Sequence, residues 1–233
     1  MPKIHFQNLF RKIGRKQWVA ILLTVMAAAT AVSLPAFQVH REAVKPEGME
    51  KIPSHVDRVA ASVGDYLYFP HTLGEEEDSA DFIVRGTLLD DAEQKLQKDG
   101  KSPCGDCLGY TLSTFQVSRV YKGNLIPGDR ILLGESCYTT EEDGKVTLHE
   151  IEYAPSAPNR KYIFFLKKEK DSAEFPHGFY TPVYKELGRY PVAIAGKESP
   201  LSSDMLENCG IHLVQAGSEY TGIGQEVVWK YME

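Results

Sequence analysis

Residues 81–89 read DFIVRGTLL and residues 110–121 read YTLSTFQVSRVY, and these two stretches decide the fold. In the first, Phe82, Val84 and Gly86 alternate with Ile83, Arg85 and Thr87, in a run rich in side chains suited to a pleated surface. In the second, Leu112, Phe115, Val117 and Val120 are apolar among polar neighbours. The step from 115 to 117 has the strand period, and the step from 117 to 120 predicts a bulge.

Working outward, Lys122-Gly123-Asn124 and Pro127-Gly128-Asp129 are turn chemistry on either side of the next strand boundary, and Arg130 to Gly134 is a third strand. Glu141-Glu142-Asp143-Gly144 separates Cys137–Thr140 from Lys145–Ile151 and predicts a hairpin. Residues 161–168, KYIFFLKK, form a short apolar strand whose flanking lysines mark it as an edge. Tyr180 to Val183, Arg189 to Ile194, Ile211 to Gln215 and Gln225 to Tyr231 extend the series of strands.

Three segments carry a helical pattern. Ser54 caps a stripe of Val56, Val59, Ala60 and Val63 that ends before Gly64 and Pro70; Asp90 to Lys98 is the second; Ser202 to Asn208, with Gly210 just past its end, is the third. The acidic run Glu75 to Asp78 reads as a solvated loop, since a calcium loop spaces its oxygen ligands at alternate positions. The expected fold is mostly β: an antiparallel sheet closed into a barrel, which buries one face and removes exposed edges, with short accessory helices.

The amino-terminal region reads differently. Lys3, Arg11, Lys12, Arg15 and Lys16 occur among the first 31 residues with no acidic residue, and an apolar run from Trp18 through Ala31 follows. That is the pattern of an export signal, with Ala29-Thr30-Ala31 as the preferred cleavage site and Leu34-Pro35-Ala36 as a second. Uncleaved, Trp18 to Phe37 is about 20 residues, roughly 30 Å of helix, enough to anchor the chain in a bilayer with its amino terminus inside. The expected organisation is a signal peptide or anchor over 1–31, a flexible tether over 32–53, and a barrel domain with an amino-terminal helix over 54–233.

The 233-residue chain is 42% hydrophobic and 25% charged, which excludes a disordered or fibrous protein. Removing residues 1–31 leaves 21 Lys and Arg against 32 Asp and Glu, a net charge of −11 for the exported body against −6 for the whole chain. Such a body is repelled by nucleic acid and by anionic membrane surfaces. Nucleic acid is therefore not expected as a partner, and membrane contact is expected only through the amino-terminal segment.

The order of Ala80 to Thr87, Ser118 to Asn124, Gly128 to Ile131, Tyr162 to Leu166 and Gly188 to Tyr190 resembles a group of exported bacterial proteins with an OB-like barrel, similar to the netrin-like and tissue-inhibitor-of-metalloproteinases domain. The resemblance spans Ala80 to about Tyr190 and implies an OB-like barrel in the cell envelope. Inhibitors of that family chelate a protease zinc through an amino-terminal Cys. Here the expected mature terminus lies near Val32 and the first Cys is Cys104, so that mechanism is not implied.

Four cysteines, Cys104, Cys107, Cys137 and Cys209, all fall in the exported body, and an even count outside the cytosol points to disulfides, in any of three pairings. Cys104-Gly105-Asp106-Cys107 also has the spacing of a redox pair, although a strand rather than a helix is expected after it. The four together match a zinc site in number, with one CxxC where two would mark it. The seven His residues show no HxH or HExxH spacing, no Gly-x-Ser-x-Gly elbow occurs, and Gly222-Ile223-Gly224 reads as a turn. No catalytic residue, metal or cofactor is expected. Tyr153, Tyr162, Tyr180, Tyr184 and Tyr190 are candidates for an aromatic ligand face of the kind OB-folds use.

These features point to a non-catalytic exported binding module whose partner is an envelope protein or an extracellular ligand. The alternatives are a thiol-disulfide oxidoreductase using Cys104 and Cys107, and a purely structural envelope protein. Intact-mass measurement of the exported protein should place its first residue at Val32; a chain beginning at Met1 would identify the apolar segment as an anchor.

Overall fold

The computed structural model of the chain describes residues 39–62, 70–96, 109–151, 153–172, 175, 177–193, 201–211 and 217–232. The segment expected to direct export, the strand expected at 211–215 beyond its first residue, Cys104 and Cys107 lie outside them. The chain forms two compact units, Met1–Val39 and His40–Glu233, and every strand and helix described belongs to the second. Among the described residues no helix is long and apolar enough to cross a membrane.

The first two strands quoted above pair with each other. β3 (Phe82–Leu88) runs antiparallel to the long β5 (Gly109–Lys122), and the register slips twice, skipping Tyr121 and Ser118. The second slip is the bulge that the 117-to-120 step predicted. Gly86 stands opposite it, where a Cβ would lie 2.2 Å from the Gln116 carbonyl oxygen and 2.7 Å from the Phe115 ring. Only a residue with no side chain allows that approach.

Five strands close on themselves. β5 pairs with β6 (Arg130–Glu135), β6 with β10 (Tyr180–Pro182), β10 with β9 (Lys161–Lys168), and β9 returns to β3. Every contact is antiparallel except β6 with β10, so the barrel is mixed rather than wholly antiparallel. β9 is central: β3 lies on one edge, β10 and β11 (Arg189–Pro191) on the other. Its flanking lysines therefore do not mark an edge, because Tyr162 to Leu166, all buried, need cover on both sides.

β10 and β11 are a single strand interrupted. They occupy successive stretches of the same edge of β9, and the excursion Val183–Gly188 between them contains a 3-10 turn over Lys185–Gly188. Val183 N–H donates to the Phe165 carbonyl at 2.9 Å, which holds the excursion at its root. Tyr184 and Lys185 have φ of 48° and 55°, a left-handed conformation that costs free energy in residues with side chains.

Several expectations are corrected. Arg58–Ser62 is not a helix but β2, an exposed strand parallel to β8 (Lys145–Ile151); pairing with β8 outweighs the apparent stripe, which has no surface to bury itself against. Asp90 to Lys98 contains β4 (Glu93–Leu96), which continues the edge of β5 beyond β3. Its buried Gln94 exchanges amide hydrogen bonds with the Thr139 backbone at 3.0 and 2.7 Å, a pairing that a helix would not reach. The acidic loop is helix α1 (Leu73–Ser79), begun by Thr72 Oγ1 accepting from Glu75 N–H while Glu75 accepts from His71 N–H. Gly217–Tyr231 is one helix, α3, so neither the strand at 225–231 nor the turn at Gly222-Ile223-Gly224 exists.

Other expectations hold. β7 (Cys137–Glu142) and β8 form the hairpin, turning through Asp143 and Gly144 with φ of 52° and 71°, the left-handed pair such a two-residue turn requires. α2 (Ser203–Asn208) is capped by Ser202, whose hydroxyl accepts from Met205 N–H.

Residues 41–51, within the expected tether, lie against the strands. Arg41 N–H donates to Asp129 Oδ1 at 2.9 Å, the Arg41 carbonyl accepts from Arg130 N–H, and β1 (Glu50–Lys51) pairs with β4. Ala43 and Met49 cover an outer apolar cluster of Tyr110, Leu112, Leu132, Phe175 and Phe179. The opposite faces of β5 and β6 contribute Phe115, Val117, Ile131 and Leu133 to the main core, together with Tyr220, Ile223, Val227 and Tyr231 of α3.

Urea unfolding should separate two glycines. Gly86→Ala should destabilise by roughly 1–3 kcal/mol through overpacking, whereas Gly222→Ala, with nothing within 4 Å of the new methyl, should stabilise by about 0.5–1 kcal/mol.

Candidate functional site

The inward register of β6 runs Ile131, Leu133 and then Glu135, so the apolar alternation ends on a carboxylate at one end of the barrel interior. The excursion between β10 and β11 presents Glu186 to the same place, and the first residue after it is Arg189. The Arg189 side chain has no solvent exposure at all.

Its guanidinium is bound on several sides. Nη2 donates to Glu186 Oε2 at 2.6 Å and to the Gly210 carbonyl at 3.1 Å; Nη1 donates to Ser156 Oγ at 2.5 Å and stands 3.7 Å from Glu135 Oε1. The Tyr153 ring lies beneath it, 4.2 Å from Cζ, with its hydroxyl 3.3 Å from Ser156 Oγ. The carboxylates are also held from behind, Glu135 by Ser156 N–H and Glu186 by Ala154 N–H, both at 3.1 Å. Arg189 Nε and, on β5, Ser113 Oγ are buried without a hydrogen-bond partner.

The surroundings set the protonation. Burial pushes the Glu186 carboxyl above its ordinary value while Arg189 opposes it, and the neighbouring carboxylates keep Arg189 firmly cationic. Burial likewise raises the phenols of Tyr153 and Tyr162, so both stay neutral.

The five candidate tyrosines do not share one face. Tyr153 and Tyr162 gather around Arg189, Tyr162 donating to the Ala157 and Cys209 carbonyls at 3.2 and 3.3 Å. Tyr190 donates to Glu76 at 2.9 Å, Tyr180 accepts from Arg41 Nη1 at 3.1 Å, and the half-buried Tyr184 shares a 2.6 Å hydrogen bond with Ser79. Tyr153, Tyr162, Tyr180 and Tyr190 are buried, because hydroxyl partners inside the protein let these large rings fill the core.

Of the cysteines, Cys137 is a free buried thiol, pushed up by burial and then by Glu135, the reverse of an activated nucleophile. Cys209 is buried with its carbonyl on Tyr162. The described residues contain no disulfide. Among them, no group of three or more His, Cys, Asp or Glu is placed to hold a metal. One hydroxyl meets an imidazole, Thr140 Oγ1 with His149 Nε2 at 2.9 Å, across the β7–β8 hairpin. His149 is stacked on Tyr138 with ring centroids 4.7 Å apart, an ordinary cross-strand packing.

What the arrangement does chemically is cross-link. Arg189 ties together the end of β6, the 153–156 segment, the excursion and Gly210 at the end of α2. Glu135, Glu186, Ser156 and Arg189 escaped the sequence reading, though a carboxylate at the inward position after Ile131 and Leu133 was a usable signal. Compared with known protein families, curated proteins and solved structures, the chain matches none of them.

Arg189→Ala should destabilise by about 3–5 kcal/mol, since it leaves two buried carboxylates without their counter-charge. Chemical denaturation checks this, and adding Glu135→Gln and Glu186→Gln to that variant should recover part of the loss.

Proposed function

We propose that the chain is a non-catalytic binding or interaction module of the cell envelope, exported by its amino-terminal segment and built on an OB-like barrel. The observation that carries the reading is the enclosure of the polar cluster around Arg189. Arg189, Glu135, Tyr153 and Tyr162 are each at most 2% exposed, so the charges brace the barrel and offer a substrate no entry.

The strand order supports the OB-like part. Numbered along the chain, the barrel strands follow one another around the barrel as first, second, third, fifth and fourth, with the third and fifth parallel. This order is in keeping with the five-stranded Greek-key barrel of the OB-fold. OB-folds bind oligonucleotides and oligosaccharides on the face of their second and third strands. Here the outer face of β5 and β6 is covered by Ala43, Met49, Phe175 and Phe179. Recognition therefore falls to other surfaces, in keeping with a protein partner rather than a nucleic acid.

Trp229 gives the test a reporter. It is 82% exposed on the outer side of α3, and the other tryptophan, Trp18, lies in the export segment. A cognate envelope component should raise the melting temperature with the logarithm of its concentration above Kd, corresponding to about 2.7 kcal/mol of stabilisation at a hundredfold excess over Kd. Disulfide exchange with a model substrate, lost in a folded Cys107→Ser variant, would overturn the proposal in favour of an oxidoreductase.

A further inference from the structure

The α1 helix buries a carboxyl in its middle. Glu76 has no exposed surface; its Oε2 accepts one hydrogen bond, from the Tyr190 hydroxyl at 2.9 Å, and its Oε1 has no partner. A carboxylate needs several donors when taken out of water, and the groups around Glu76 do not supply them. On α1 itself the neighbour is Glu77, a like charge. From α3, Tyr220 donates to the Arg189 carbonyl, Tyr231 donates to Glu77 and Glu226 is negative. Lys230 spends its charge on Glu77, at 2.7 Å. Arg189, on β11, has its charge engaged by Glu135 and Glu186.

The same helices pack over the barrel through a seam that mixes polar and aromatic contacts. Glu77 joins α1 to Lys230 and Tyr231 of α3; Tyr121 of β5 donates to the Tyr231 carbonyl; Lys122 donates to the Glu77 carbonyl. Beneath them Tyr190 stacks on Tyr220 with centroids 4.9 Å apart, and Phe165 of β9 meets Tyr231 edge to face at 5.8 Å. Ionising Glu76 places a bare negative charge at the centre of this seam.

We propose that α1 and α3 form a proton-dependent latch on the barrel, closed while Glu76 holds a proton and loosened when Glu76 releases it. The burial that leaves Oε1 orphaned also lifts the Glu76 carboxyl well above its ordinary value of 4.5, with Glu77 adding to the lift and Tyr190 opposing it. The direction of the pH effect follows. The folded protein holds a proton that the unfolded chain gives up near pH 4.5, so the stabilisation is complete below that pH and is lost as pH rises toward the folded-state value. Glu186, also raised, contributes a slope of the same sign from a separate place. Lowering the pH closes the latch, and raising it opens it.

The experiment is urea unfolding of the full chain from pH 5 to pH 9, in the wild type and in Glu76→Gln. In the wild type the unfolding constant should carry a Glu76 contribution of up to about tenfold per pH unit until that carboxyl ionises in the folded state. Glu76→Gln should remove that contribution and unfold less readily than the wild type at pH 9, while Glu77→Gln should weaken the closure and keep the slope, which then ends at a lower pH because Glu77 adds to the lift. Glu76→Met, which also lacks a titratable group, covers the case in which glutamine disturbs the packing; an undiminished slope in either folded variant overturns the proposal. Hydrogen exchange of the wild type gives an independent reading. Relative to β3 and β9, and corrected for intrinsic rates, the α1 and α3 amides should open more often as pH rises, and an unchanged ratio overturns the latch.

Discussion

A guanidinium with no access to water can remain in a protein only if everything around it is built to receive it. Arg189 imposes that requirement on five parts of the chain: the last residue of β6, the ring and hydroxyl at 153 and 156, the excursion that breaks the fifth barrel strand, and the carbonyl of Gly210. The left-handed backbone at Tyr184 and Lys185 is explained by the same demand, since it delivers Glu186 three residues before Arg189 and on the same side of β9. The barrel is closed by backbone pairing, but its polar end is shaped by this one cation.

The parts of the fold that were legible are those whose local pattern and tertiary use agree. In β5 and β6, Phe115 with Val117 and Ile131 with Leu133 enter the main core at alternate positions; the Asp143-Gly144 hairpin turns where its residues favour it; Ser202 caps the helix it announces. The failures came where two periods overlapped. Val227, Trp229 and Tyr231 alternate like a strand, yet Tyr220, Ile223, Val227 and Tyr231 form the helical stripe that is buried, and the exposure of Trp229 shows which period won. In β2 the error was the opposite, because Val56, Val59 and Ala60 mimic a helix whose stripe has nothing to pack against.

The candidate site was less legible than the fold. Tyrosines draw attention as ligand-binding residues, but here their hydroxyls are used inside, on Glu76, Ser156, Ala157 and Arg41. The residues that organise the interior are charged ones in strand register, and a single sequence does not say which charged residue points inward until the pairing is known. Glu135 follows Leu133 in the inward series, whereas Arg130 of the same strand is exposed.

The strap formed by residues 40–51 bears on how the molecule comes together. Its partners stand far along the chain: Arg41 is bound by Asp129, 88 positions away, and by Tyr180, 139 positions away. In a polypeptide made from its amino end, this portion arrives early and finds its place late, after β4, β5 and β6 exist to receive it. Until then Tyr110, Leu112 and Leu132 are uncovered, an adhesive patch during the interval in which a nascent chain is most prone to stick to its neighbours.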